Sequence, residues 1–212
     1  MKNIQLFTAF ILSATSNSST LNAQTTPASG GKTPGDAARS AESFMKRYYE
    51  IKGAYKTLTD TYKTYAGAYA ASSHPVEKFM ERYNQVKAAF PQLKDVFENY
   101  AASEYTLENF TRRYYQIGDQ YSEMNKYYGD YAASPKTLPM FIMRYNEIKD
   151  SAPELAEVHG HYAASDYNLA EFTARYNGIK SSDTGIKDCF GAYAGSAKNL
   201  TDKKFSVFLF HD

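Results

Sequence analysis

Five of the seven arginines, Arg47, Arg82, Arg113, Arg144 and Arg175, stand directly before a tyrosine, and the last four are spaced 31 residues apart. A guanidinium is a planar fork of donors, so such a column suits two chemistries. In one, each arginine bonds the open carbonyls at the end of a Tyr-Ala-Ala-Ser helix while its stem lies along an aromatic ring. In the other, the cations form a ladder that reads an extended acidic ligand. No acidic column recurs at the same period to neutralise them. A second set of candidate binding residues follows each tyrosine: Tyr49, Asn84, Tyr115, Asn146 and Asn177 change from copy to copy, as do Glu50, Gln85, Gln116, Glu147 and Gly178 beside them. Changeable positions on a face the core does not use suit either plain solvent exposure or partner recognition.

Enzyme signatures are missing. His159 and His161 are two apart and face different sides of a helix, unlike the i, i+4 pair of a zinc helix, while His74 and His211 are distant in sequence. The chain has no G-x-S-x-G, no P-loop and no G-x-G-x-x-G. Its one cysteine, Cys189, falls in an apolar column beside Phe190 and reads as an inert buried thiol. We therefore expect no catalytic residue, no metal site and no cofactor. A pocket converging two titratable groups is the feature that would revive an enzyme. Asn109-Phe-Thr and Asn199-Leu-Thr are glycosylation sequons by pattern alone.

The elements that must carry these columns come from a repeat. Tyr-Ala-Ala-Ser begins at Tyr69, Tyr100, Tyr131 and Tyr162 and returns as Tyr-Ala-Gly-Ser at Tyr193, each 31 residues after the last. Phe79, Phe110, Phe141 and Phe172 keep the same period, with an earlier copy at Phe44, offset by 35. Such periods mean stacked supersecondary units. From Val76, Leu107, Leu138, Leu169 and Leu200, apolar columns continue at steps of three and four to Val86, Ile117, Ile148 and Ile179, one face of a helix. Thr106, Thr137, Asn168 and Asn199 mark its start, Asn168 and Glu171 at capping-box spacing, and Pro75 precedes Val76. A second helix carries Leu93, Met124, Leu155 and Ile186 and ends at Tyr-Ala-Ala-Ser, with Pro91 and Pro153 in its first turn and a further capping box at Ser151 and Glu154.

The expected fold is all-α: tandem 31-residue helix-turn-helix repeats in an α-solenoid or elongated array. The alternative is an up-and-down bundle of helices of about 27 residues, since the three-four spacing runs through some units without a slip. The prolines favour two helices, because an interior proline costs about 3 kcal/mol. The first unit lacks a breaker and is expected to be continuous. The layout resembles tetratricopeptide-type and other helical-hairpin solenoids in general plan. Their Trp and closing Pro are missing and their period is longer, so no functional residue carries over.

Ten of the twenty tyrosines occupy two columns, Tyr48, Tyr83, Tyr114, Tyr145 and Tyr176 and the five motif tyrosines, and read as core. Residues 1–23 read as an export signal, with Lys2 before an apolar stretch from Ile4 to Ala14 that is too short to span a bilayer. Residues 24–35 read as a flexible linker and 36–212 as the repeat domain, in units of about 37–71, 72–102, 103–133, 134–164 and 165–195. A half-unit, 196–212, closes the array as a lone helix or a short strand. A net charge of +1, neutral once the signal is removed, gives no footprint for nucleic acid. The reading is a secreted or periplasmic, tyrosine-rich binding or scaffolding protein for a peptide, a protein surface or an acidic polymer, without a stable membrane anchor. The alternative is a membrane-active or structural helical protein.

Overall fold

A computed structural model of the chain describes residues 43–61, 63–182 and 184–200, all within the compact unit Thr33–Asp212. The expected signal, the linker and most of the C-terminal half-unit lie outside the described residues. Every regular element among the described residues is helical, and none is long and apolar enough to cross a membrane.

Each unit pairs a long helix with a shorter one. The long helices are Phe44–Ala54, Val76–Ala89, Leu107–Gln120, Leu138–Ser151 and Leu169–Ser182, and the second helices are Lys63–Ala71, Phe97–Ala102, Tyr128–Ala133, His159–Ala164 and Phe190–Gly195. Asn168 and Glu171 form the expected reciprocal cap, at 3.2 and 2.9 Å, and Thr106 accepts from the Asn109 N–H at 3.3 Å. Thr137 makes no side-chain cap bond. The long helices end where Phe90, Tyr121 and Ala152 leave helical geometry, at φ of −138°, −139° and −145°.

A 3₁₀ turn follows in four units, Pro91–Val96, Ser122–Tyr127, Pro153–Val158 and Thr184–Cys189, and its core residue, Leu93, Met124, Leu155 or Ile186, is itself non-helical. The second half of each unit is therefore a kinked 3₁₀ turn leading into a short helix. No 27-residue helix exists among the described residues. The first unit, expected to be continuous, breaks at Tyr55 (φ −132°, ψ 50°) and inserts Lys56–Thr61 between its two helices. The Ser151 and Glu154 box does not form, because Ser151 is still the last turn of the long helix and Ala152 precedes the 3₁₀ turn.

The units do not extend in a line. Each second helix packs on the next, and the fifth, Phe190–Gly195, packs back on the first, Lys63–Ala71. A ring contact repeats at every junction: Tyr69 with Phe79, Tyr100 with Phe110, Tyr131 with Phe141 and Tyr162 with Phe172, at 5.3 to 5.4 Å and edge-on. Tyr193 makes the same contact with Phe44, at 5.3 Å. The first and last described residues complete the closure through the backbone. Asn199 and Leu200 accept from the Phe44 and Met45 N–H groups at 2.8 and 3.1 Å, as Thr106 accepts from Phe110 at 2.9 Å inside a continuous unit. Asn199 and Leu200 thus stand in for the first turn of the opening helix. The elongated array is corrected to a closed five-unit ring.

Small residues let the second helices crowd the axis. The first alanine of each motif, Ala70, Ala101, Ala132, Ala163 and Ala194, is wholly buried between neighbours. Closeness of this kind is available only where side chains are small.

Candidate functional site

The arginine column adopts the carbonyl-capping arrangement. Arg82 donates to the Tyr100 and Tyr105 carbonyls at 2.9 and 2.7 Å and to Ser103 Oγ at 3.1 Å. Arg113 bonds the carbonyls of Tyr131, Ala132, Ser134 and Lys136, and Arg175 those of Tyr193, Ala194, Ser196 and Lys198, all within 3.2 Å. Arg47 and Arg144 repeat the pattern at Tyr69 and Tyr162. Each guanidinium lies 4.2 to 4.4 Å over the ring of its motif tyrosine. Each guanidinium turns a terminal nitrogen onto the loop that leaves the second helix, while the Nε of Arg82 and of Arg144 is buried without a hydrogen-bond partner among the described residues.

The exposed row Tyr49, Asn84, Tyr115, Asn146 and Asn177 lies on the outward face of the long helices. The residues beside it have a use that the sequence does not announce. Glu50, Gln85, Gln116 and Glu147 accept hydrogen bonds from the hydroxyls of Tyr69, Tyr100, Tyr131 and Tyr162, whose rings are at most 1% exposed. A buried phenol needs such a partner. Burial and the Glu147 bond together push the Tyr162 hydroxyl up to about 12.

Two cavities open to solvent, of about 440 and 320 Å³, lie where the second helices converge, each lined by residues of all five units. They share five residues at 31-residue spacing: Ala68, Asn99, Asp130, His161 and Ala192. This waist is lopsided. Three consecutive units supply polar side chains and the other two supply alanine, which leaves space opposite the polar wall. Asp130 stands at the centre of that wall, with His161 Nδ1 and Asn99 Nδ2 each 3.4 Å from its Oδ1. Its side chain is only 14% exposed. Burial holds the Asp130 carboxyl above the ordinary carboxylate range, and His161 and Asn99 oppose that shift.

Glycines make room for the wall. A Cβ on Gly129 would lie 2.6 Å from Asn99 Oδ1. One on Gly160 would collide with the Asp130 carboxylate, and one on Gly191 with the His161 ring. Each polar residue therefore lies across the bare backbone of the next helix. Where the waist residue is Ala68, the corresponding position of the next unit instead carries Glu98, bonded to Thr64 at 2.9 Å.

The larger cavity is acidic. Asp95, Glu98, Asp130, Glu157 and Asp188 line it, against Lys126 and His161. Burial also raises the Glu98 carboxyl. The smaller cavity is lined instead by motif alanines and serines. Four of these hydroxyls, on Ser72, Ser103, Ser165 and Ser196, donate to the tyrosine carbonyl three residues back. A hollow of about 490 Å³ between two long helices, lined by Leu138, Ile142 and Met143, presents no carboxylate or cation.

His159 and His161 face different sides of their helix, as their spacing led us to expect. His159 is buried and bonds the Ala152 carbonyl, while His161 faces the cavity. Cys189 is 1% exposed, and burial pushes its thiol up to about 12. Among the described residues no group of three or more His, Cys, Asp or Glu side chains is placed to hold a metal ion. Sequence reasoning missed the waist because it followed the changeable column of the first helix. The residue directly before each Tyr-Ala motif, changeable between a constant tyrosine and a constant turn, was the available signal.

No family model matches the chain, and neither the curated proteins nor the solved structures yield a match.

Proposed function

We propose that the protein is a binding module whose axial cavity takes up a basic group, such as a lysine or arginine side chain of a peptide or protein partner. The observation that carries this reading is the lopsided waist: Asn99, Asp130 and His161 face the space left by Ala68 and Ala192, in a cavity with five carboxylates. A structural role alone requires neither the asymmetry nor the buried carboxylate, since desolvating that group costs stability. An acidic polymer has less support, because the five guanidiniums are held by carbonyls. Placement outside the cytoplasm rests on residues 1–23 and belongs to the same proposal.

The test is calorimetric titration with a lysine-rich and a glutamate-rich tetrapeptide. The basic peptide is expected to bind saturably, more weakly as salt is added, and at least about tenfold more weakly to Asp130→Asn and to Ala68→Leu, which fills the open side. Asn146→Ala on the outer row is expected to leave binding unchanged. A basic peptide that does not bind, or binds Asp130→Asn as well as the parent, overturns the reading.

One observation favours a second reading. Asp130 and His161 form a carboxylate–imidazole pair inside a cavity, the arrangement that orients a general base. Among the described residues no serine or threonine hydroxyl bonds His161, so water is the nucleophile such a base would serve. Hydrolysis of a basic ester substrate that disappears in His161→Gln is the outcome that would support it.

A further inference from the structure

Four of the five junctions in the ring are joined by a loop of the chain, and the fifth is held by contacts alone among the described residues. Across that seam Tyr193 meets Phe44, Asn199 and Leu200 complete the helix that begins at Phe44, and Cys189 packs against Gly67. The two faces are complementary, and they belong to opposite ends of one chain. They therefore form a head-to-tail interface, the kind that closes into a ring or continues from copy to copy.

Beyond the Phe44 and Met45 N–H groups, which bond Asn199 and Leu200 across the seam, the turns of both terminal units are capped from within. Arg175 caps the turn at Ser196 and Lys198 within the fifth unit, and Arg47 caps the turn at Tyr69 within the first. Opening the seam exposes one inter-unit face on each end and releases the Phe44 and Met45 N–H groups, while the arginine-capped turns of both units stay bonded. A second copy presents the matching face with the same residues. Contacts within one chain and contacts between two chains are then equivalent, and the balance is set by protein concentration against the effective concentration of the chain's own end. We propose that the seam is an assembly interface, with the fifth unit of one copy closing on the first unit of another.

The experiment is refolding of the full chain from urea at low and high protein concentration, followed by size-exclusion chromatography with light scattering. Monomer is expected at low concentration and discrete multiples of the chain mass at high concentration. In a second arm, Gly67→Cys places a thiol against Cys189 across the seam, and each fraction is oxidised and run without reductant. The cross-link is expected within one chain in the monomer fraction and between chains in the larger fractions. If Gly67→Cys does not fold, Met45→Cys with Leu200→Cys spans the same seam. Monomer alone at every concentration, or multiples whose cross-links all stay within one chain, overturns the proposal.

Discussion

Tyr193, near the end of the described chain, meets Phe44, near its beginning, edge-on at 5.3 Å, the contact that Tyr100 makes with Phe110 in the middle of the array. The equivalence means that curvature per unit and number of units are matched. A linear array tolerates loss of a whole period, because each unit touches only its neighbours. A ring does not. Excision of residues 134–164 leaves four units that cannot close at the same curvature. By circular dichroism and light scattering, this variant is expected to be unfolded or larger than a monomer. A folded monomer melting like the parent would contradict it.

Arg113 holds four carbonyls of one loop, and lysine cannot reproduce a planar fork. Arg113→Lys is expected to lower stability by about 1–2 kcal/mol in urea unfolding. An unchanged midpoint would show that the loop is held by its stacking on Tyr131 alone.

Two glycines separate room from need. Nothing lies within 4 Å of the place a Cβ would take on Gly178, whereas on Gly160 it would strike Asp130 and Tyr127. Gly178→Ala is expected to gain about 0.5–1 kcal/mol from helix propensity. Gly160→Ala is expected to lose about 1–3 kcal/mol from overpacking. Equal effects in thermal melts would remove the glycines from the architecture of the waist.

Burial raises the carboxyls of Asp130 and Glu98 in the folded protein. Such a group keeps its proton in the fold where the unfolded chain has released it, so its contribution to stability falls as pH rises from the ordinary carboxylate value through the raised one. Asp130→Asn is expected to stabilise at neutral pH, and its advantage over the parent is expected to shrink towards about pH 4. Urea midpoints across that range check the sign, and an advantage that grows on acidification would contradict it.

Much of the fold was legible because the repeat is written in columns. Phe110, Ile117 and Tyr131 kept their apolar spacing, and the prolines Pro91 and Pro153 marked the break between helices. Closure was not legible: the contact of Tyr193 with Phe44 spans nearly the whole domain, and no local spacing encodes a small angle per unit. The arginine column was read in both its forms, and only distances separate them. Asp130 and His161 were lost for a different reason. Their chemistry appears only when positions 31 residues apart converge on one axis, and a motif search within a segment does not sample that geometry.

The most direct test of the closed ring is a pair of spin-label distances. Labels on the exposed positions Tyr49 and Asn177, in the first and fifth units, lie on neighbouring long helices of a ring, whereas Tyr49 and Tyr115, in the first and third, lie two units apart. Pulsed electron resonance is expected to give a shorter distance for 49–177 than for 49–115, with buried Cys189 replaced by Ala. A 49–177 distance longer than the 49–115 distance would show an open array and remove the axial cavity with it.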